Sequence, residues 1–90
     1  MDYLKSTWTR IHQLQYDLSR LDQAITGYEN GGEKTARELI KVASLSFSKG
    51  EIDFYQYLFT MESAISIQIE HLDNLLEYNS KVYELKFLLP

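Results

Sequence analysis

Two histidines, thirteen carboxylates and seven tyrosines are the side chains of this sequence with the widest chemical reach. Glu70 and Asp73 flank His71. A protein metal site needs strong ligands converging from one face, and neither acid pairs with His71 at an i,i+3 or i,i+4 step that also brings a second strong ligand. Folding the chain about residue 51 leaves His12 and His71 roughly 28 Å apart at helical rise. No metal site and no cofactor is expected. Catalysis has no better footing. There is no cysteine, no glycine-rich phosphate loop and no serine in a nucleophile-elbow setting. Glu51 and Asp53 sit together at a turn, where a carboxylate just before a helix works as its cap. The tyrosines recur at helical spacing, which marks packing rather than a base-stacking surface. The chain is read as a non-enzyme.

Composition narrows the class. With 90 residues and a net charge of -4, the chain is one small unit or a segment of a larger protein. A chain of this size buries only about 60% of its unfolded surface, so one copy makes a marginal core. The acidic balance speaks against a nucleic-acid partner, which selects a basic face. No apolar run approaches the ~20 residues of a membrane-crossing helix, so no direct membrane span is expected in this segment. The first ten residues carry no apolar stretch of signal-peptide type.

The elements that must position these side chains are helices. Residues 3–29 carry a heptad row through Leu4, Thr7, Ile11, Leu14, Leu18, Leu21, Ile25 and Tyr28, apolar but for Thr7, with Trp8 and Tyr16 beside it. Asp2 is a candidate N-cap. Glu29-Asn30-Gly31-Gly32 is expected to break the helix, with a glycine in a left-handed C-cap position. A shorter helix follows over 34–48, with Ala36, Leu39, Ile40, Ala43 and Phe47 on one side. Glu33 with Arg37 and Lys34 with Glu38 are i,i+4 pairs. The turn around Lys49, Gly50 and Glu51, where Gly50 is expected at positive φ to end the second helix, leads to a strong start signal. Asp53 and Gln56 form a capping-box pattern, and Ile52 with Tyr57 a hydrophobic staple. A third helix runs over 53–88. One row on it is Phe54, Leu58, Met61, Ile65, Gln68, Leu72, Leu75, Asn79 and Val82. A second is Tyr55, Phe59, Ile69, Leu76, Tyr83 and Phe87. Two rows demand neighbours on two sides. Buried polar residues such as Gln68 and Asn79 can set register.

The expected fold is all-α. It is an elongated antiparallel hairpin of three helices, its first arm broken near Gly31. Helix-helix packing is assigned to Ile11, Leu14, Leu18, Leu21 and Ile25 against Leu58, Met61, Ile65, Leu72 and Leu75.

Residues 43–88 resemble the C-terminal helical repeat of TolC-like outer-membrane efflux proteins. The resemblance is carried by Ala43, Phe47, Gly50, Asp53, Leu58, Ala64, Leu72, Tyr78, Val82 and Leu85. GEIDF, YQY and EYN, and the upstream ENGG, are similar to the heavy-metal branch, some members of which carry such a segment joined to the pump. The resemblance implies a stave of a trimeric periplasmic α-barrel in the cell envelope. It also implies that the tip at Lys49, Gly50 and Glu51 meets a periplasmic adaptor and an inner-membrane pump. A full family member has two such repeats and four membrane strands, so the chain is expected to be a fragment. The alternative reading is an unrelated helical module that self-associates through the same rows as a dimer or higher oligomer.

Overall fold

The computed structural model describes residues 2–89, and within them there is no strand. Helix α1 spans Asp2–Gly27, α2 spans Glu33–Ser48 and α3 spans Phe54–Leu88. They form an antiparallel hairpin measuring 68 × 22 × 15 Å. The first arm is α1 and α2 end to end, and the second is α3 alone. Asp2 lies inside the first turn of α1 rather than ahead of it.

The first arm does not break near Gly31. Tyr28–Gly32 is a π-helical turn, and the amide of Glu33 donates to the carbonyl of Tyr28, five residues back. Gly27 and Gly32 both keep right-handed helical dihedrals. The two glycines therefore do not cap a helix. A π turn accommodates one extra residue without leaving the helix. That residue changes the phase of the arm. Leu14, Leu21 and Tyr28 follow one another at steps of seven, and the row then continues at Ala36 and Ala43 after a step of eight. Leu14, Leu21, Ala36 and Ala43 are buried, whereas Thr35 and Val42, where an uninterrupted heptad would lead, are exposed. The π turn keeps α2 facing α3.

The turn between arms is closed by backbone geometry. The amide of Gly50 donates to the Phe47 carbonyl at 3.0 Å, and that of Glu51 to the Ser46 carbonyl at 2.9 Å. This is the double hydrogen bond of a Schellman end, and it requires a left-handed residue at its centre. Gly50 supplies it with φ of 74°. Asp53 then caps α3. Its carboxylate accepts from the Gln56 amide at 2.8 Å, and the Gln56 side chain accepts from the Asp53 amide at 3.0 Å.

The core is a single seam. Ile11, Leu14 and Leu21 of α1 and Ala36 and Ala43 of α2 are buried, with Leu18, Ile25 and Ile40 half-buried beside them. On α3 the seam is Tyr57, Met61, Ala64, Gln68, His71, Leu75, Tyr78, Val82 and Leu85, of which Ala64 is fully buried. Met61 and Leu75 pack as expected. Leu58, Ile65 and Leu72 do not: all three are exposed, as are Trp8 and Tyr16 on α1. Apolar content alone favours the Leu58 row. The turn overrides it, because the Schellman end and the capping box fix the angle at which α3 departs, and Phe47 stacks on Tyr57 with centroids 4.8 Å apart. Small Ala36, Ala43 and Ala64 in the chosen faces also let the arms approach closely.

Candidate functional site

Three features of the hairpin stand out chemically: the tip, the π joint and the outer face of α3. At the tip, Lys49, Gly50 and Glu51 are exposed, and neither charged side chain makes an ion pair among the described residues. Ile52 and Tyr57 are half-buried. The Tyr57 ring lies on Phe47, and Phe54 tilts against the same phenylalanine at 6.2 Å. Exposed Tyr55 and Phe59 line a shallow groove beside Ile52, so the tip carries an open aromatic face next to the turn.

At the π joint a histidine ring enters the seam. His71 stacks on Tyr28 with centroids 3.8 Å apart and planes at 13°. Its Nδ1 is buried and has no hydrogen-bond partner. A recess of about 190 Å³ opens beside it, with Glu70 and Asn74 among its walls. Gly32 backs onto the other ring: a Cβ there would stand 3.2 Å from Cδ2 of Tyr28. Helix geometry thus wedges Tyr28 between a glycine of its own arm and a histidine of the other. The sequence carried a signal for this pair. Tyr28 extends the Leu14–Leu21 row, and His71 stands one heptad after Ala64 and one before Tyr78. His12 lies elsewhere on α1 and stacks on exposed Trp8 at 5.8 Å. Among the described residues, no three of His, Cys, Asp and Glu come together in a way that could hold a metal ion.

Ion pairs line one edge of the seam near the open end. Arg10 donates to Glu84 from Nε at 3.1 Å and also from Nη2. Lys81 lies 3.3 Å from Asp17, and Arg20 lies 3.7 Å from Glu77. The bidentate Arg10 hydrogen bond holds the Glu84 carboxyl below its ordinary range, and the same bond raises the Arg10 guanidinium further. All these groups remain partly exposed, so each pair adds little stability. Their value is in register, since a slip of one residue would set them out of reach.

The largest unmatched feature is on α3. Tyr55, Leu58, Ile65, Ile69, Leu72, Leu76 and Tyr83 are all exposed and follow one another along one side of the helix. On a heptad wheel they cluster about a direction well away from the hairpin seam. Exposed apolar surface that is continuous in this way marks an interaction site. No helix among the described residues is long and apolar enough to cross a membrane. Comparison with protein-family models, with curated proteins and with solved structures brings up no match.

Proposed function

We propose that this chain is a non-catalytic helical segment that works by lateral packing, as a stave of a TolC-like efflux assembly in the periplasm. The observation that carries the lateral part is the uncovered apolar stripe of α3. A hairpin that were complete by itself would turn this face inward, because burying a leucine-sized side chain contributes about 1.5–3 kcal/mol. A stave needs such a face, since it touches neighbours on two sides. The efflux part rests on the resemblance of residues 43–88. On that reading the exposed Lys49 and Glu51 meet the adaptor or pump, which exports metal cations.

The test separates stability from docking. Lys49→Ala with Glu51→Ala should leave the unfolding free energy within about 0.5 kcal/mol, as at neutral surface sites. In a cell whose cation efflux depends on the whole assembly, the same double change should weaken export. Undiminished export at normal protein levels refutes the efflux reading.

A second reading is favoured by the extent of the stripe, which runs the length of α3 rather than gathering at the tip. A helical module that only self-associates needs that stripe and has no use for Lys49 and Glu51.

A further inference from the structure

The uncovered stripe of α3 has an internal symmetry that points to its occupant. Its rows interleave as Leu58, Glu62, Ile65, Ile69, Leu72, Leu76, Asn79 and Tyr83, at alternating steps of four and three. That is a heptad seam separate from the one that closes the hairpin. Between Leu58 and Tyr83 the series is the same from either end: apolar, polar, apolar, apolar, meeting at a midpoint between Ile69 and Leu72; one step beyond, Tyr55 would face Lys86, so the match stops there. A two-fold interface requires such self-complementarity, because each position must meet its mirror position on the other copy.

We infer that two copies of this chain pair α3 against α3, antiparallel, about a two-fold axis passing between Ile69 and Leu72. The inference rests on the second reading, a helical module that self-associates, because an antiparallel pair points its two tips in opposite directions whereas staves of one barrel point them the same way. In this arrangement Ile69 of one copy meets Leu72 of the other, Ile65 meets Leu76, and Leu58 meets Tyr83. The four central residues are 43%, 52%, 58% and 69% exposed in the order Ile65, Ile69, Leu72, Leu76, so all have surface left to bury.

Charge selects the orientation. The antiparallel pair sets each Glu62 opposite Asn79, whose amide can donate to the carboxylate. It keeps the two Glu62 side chains roughly 26 Å apart at helical rise. A parallel pair in register would oppose Glu62 to Glu62 at the edge of an apolar seam, where like charges repel and desolvation is costly. Nor does the first arm offer a rival surface. Its exposed large apolar residues, Tyr3, Leu4, Trp8, Tyr16, Val42, Leu45 and Phe47, leave a gap from Tyr16 to Val42 and form no continuous row to receive the stripe.

The absence of cysteine makes the pairing directly testable. In the full chain, Ile65→Cys with Leu76→Cys should oxidise to a covalent dimer. The two positions are eleven residues apart on one helix, about 16 Å, too far to bridge within a chain. Each single variant should stay uncrosslinked, because its own mirror image lies far along the partner helix. Sedimentation of the wild type at high micromolar concentration should show two chains, and Ile69→Glu should reduce this to one with helicity retained. Cross-linking of the single Ile65→Cys variant means parallel pairing and overturns the inference. So does a wild-type dimer that Ile69→Glu leaves intact, although lateral packing would then survive through another face. A wild type that is folded and monomeric throughout overturns self-association as well.

Discussion

Gly32→Ala tests the wedge at the π joint, and two neighbouring glycines supply the controls. Gly27, Gly31 and Gly32 all lie in the first arm with negative φ. Alanine is better than glycine in a helix interior by about 0.8–1 kcal/mol. A Cβ at Gly27 or Gly31 meets nothing within 4 Å. Gly31→Ala and Gly27→Ala should therefore stabilise the hairpin by about 0.4–1 kcal/mol, chiefly by restricting the unfolded chain. At Gly32 the same gain is opposed. The new methyl would press on Cδ2 of Tyr28 at 3.2 Å, and His71, stacked on the Tyr28 ring at 3.8 Å, restricts how far that ring can give. Overpacking of this kind costs about 1–3 kcal/mol, so Gly32→Ala should be neutral or destabilising by up to about 2 kcal/mol. Urea unfolding followed by circular dichroism measures all three at one protein concentration. A further variant isolates the cause. With His71→Ala the tyrosine is free to move, and adding Gly32→Ala to that background should cost less than adding it to the wild type. If Gly32→Ala stabilises as much as Gly31→Ala, or if the His71 background makes no difference, the wedge is not what holds this joint.

The seam assignment predicts that Leu21→Ala, at a fully buried site, costs about 2–5 kcal/mol. Leu72→Ala, on the exposed side, should change the stability of the single hairpin by less than about 0.5 kcal/mol in dilute denaturant titration. Gly50→Val forces a β-branched residue to a φ of 74° and should cost about 1–3 kcal/mol. Asp53→Ala removes the cap of α3 and should cost about 0.5–2 kcal/mol in the same assay. The Arg10 hydrogen bond lowers the Glu84 carboxyl below its ordinary value, so its stabilisation is present above that value and is lost as pH falls through the lowered one. Glu84→Gln should flatten the acid limb of a stability-versus-pH curve, and an unchanged limb would show that the pair is not made in solution.

How much of this could be read from the chain alone differs from feature to feature. The all-α hairpin, the positive φ of Gly50 and the capping box of Asp53 and Gln56 were all readable, because each depends on residues within a turn or two of one another. The same is true of the buried row Ile11, Leu14 and Leu21, whose spacing is a property of one helix. The face that α3 turns inward was not readable. Periodicity ranks the faces of a helix by apolar content, and by that measure Leu58, Ile65 and Leu72 outrank Ala64 and His71. The choice was made by the angle at which the turn releases α3, and by Phe47, Ala36 and the ion pairs waiting on the other arm. The π joint is the same lesson in reverse. Gly31 and Gly32 have the composition of a helix end, but an isolated segment cannot register that Ala36 and Ala43 must stay on α3. Only packing against the second arm favours absorbing one residue within the helix over breaking it, and that same packing sets the ring of His71 against Tyr28.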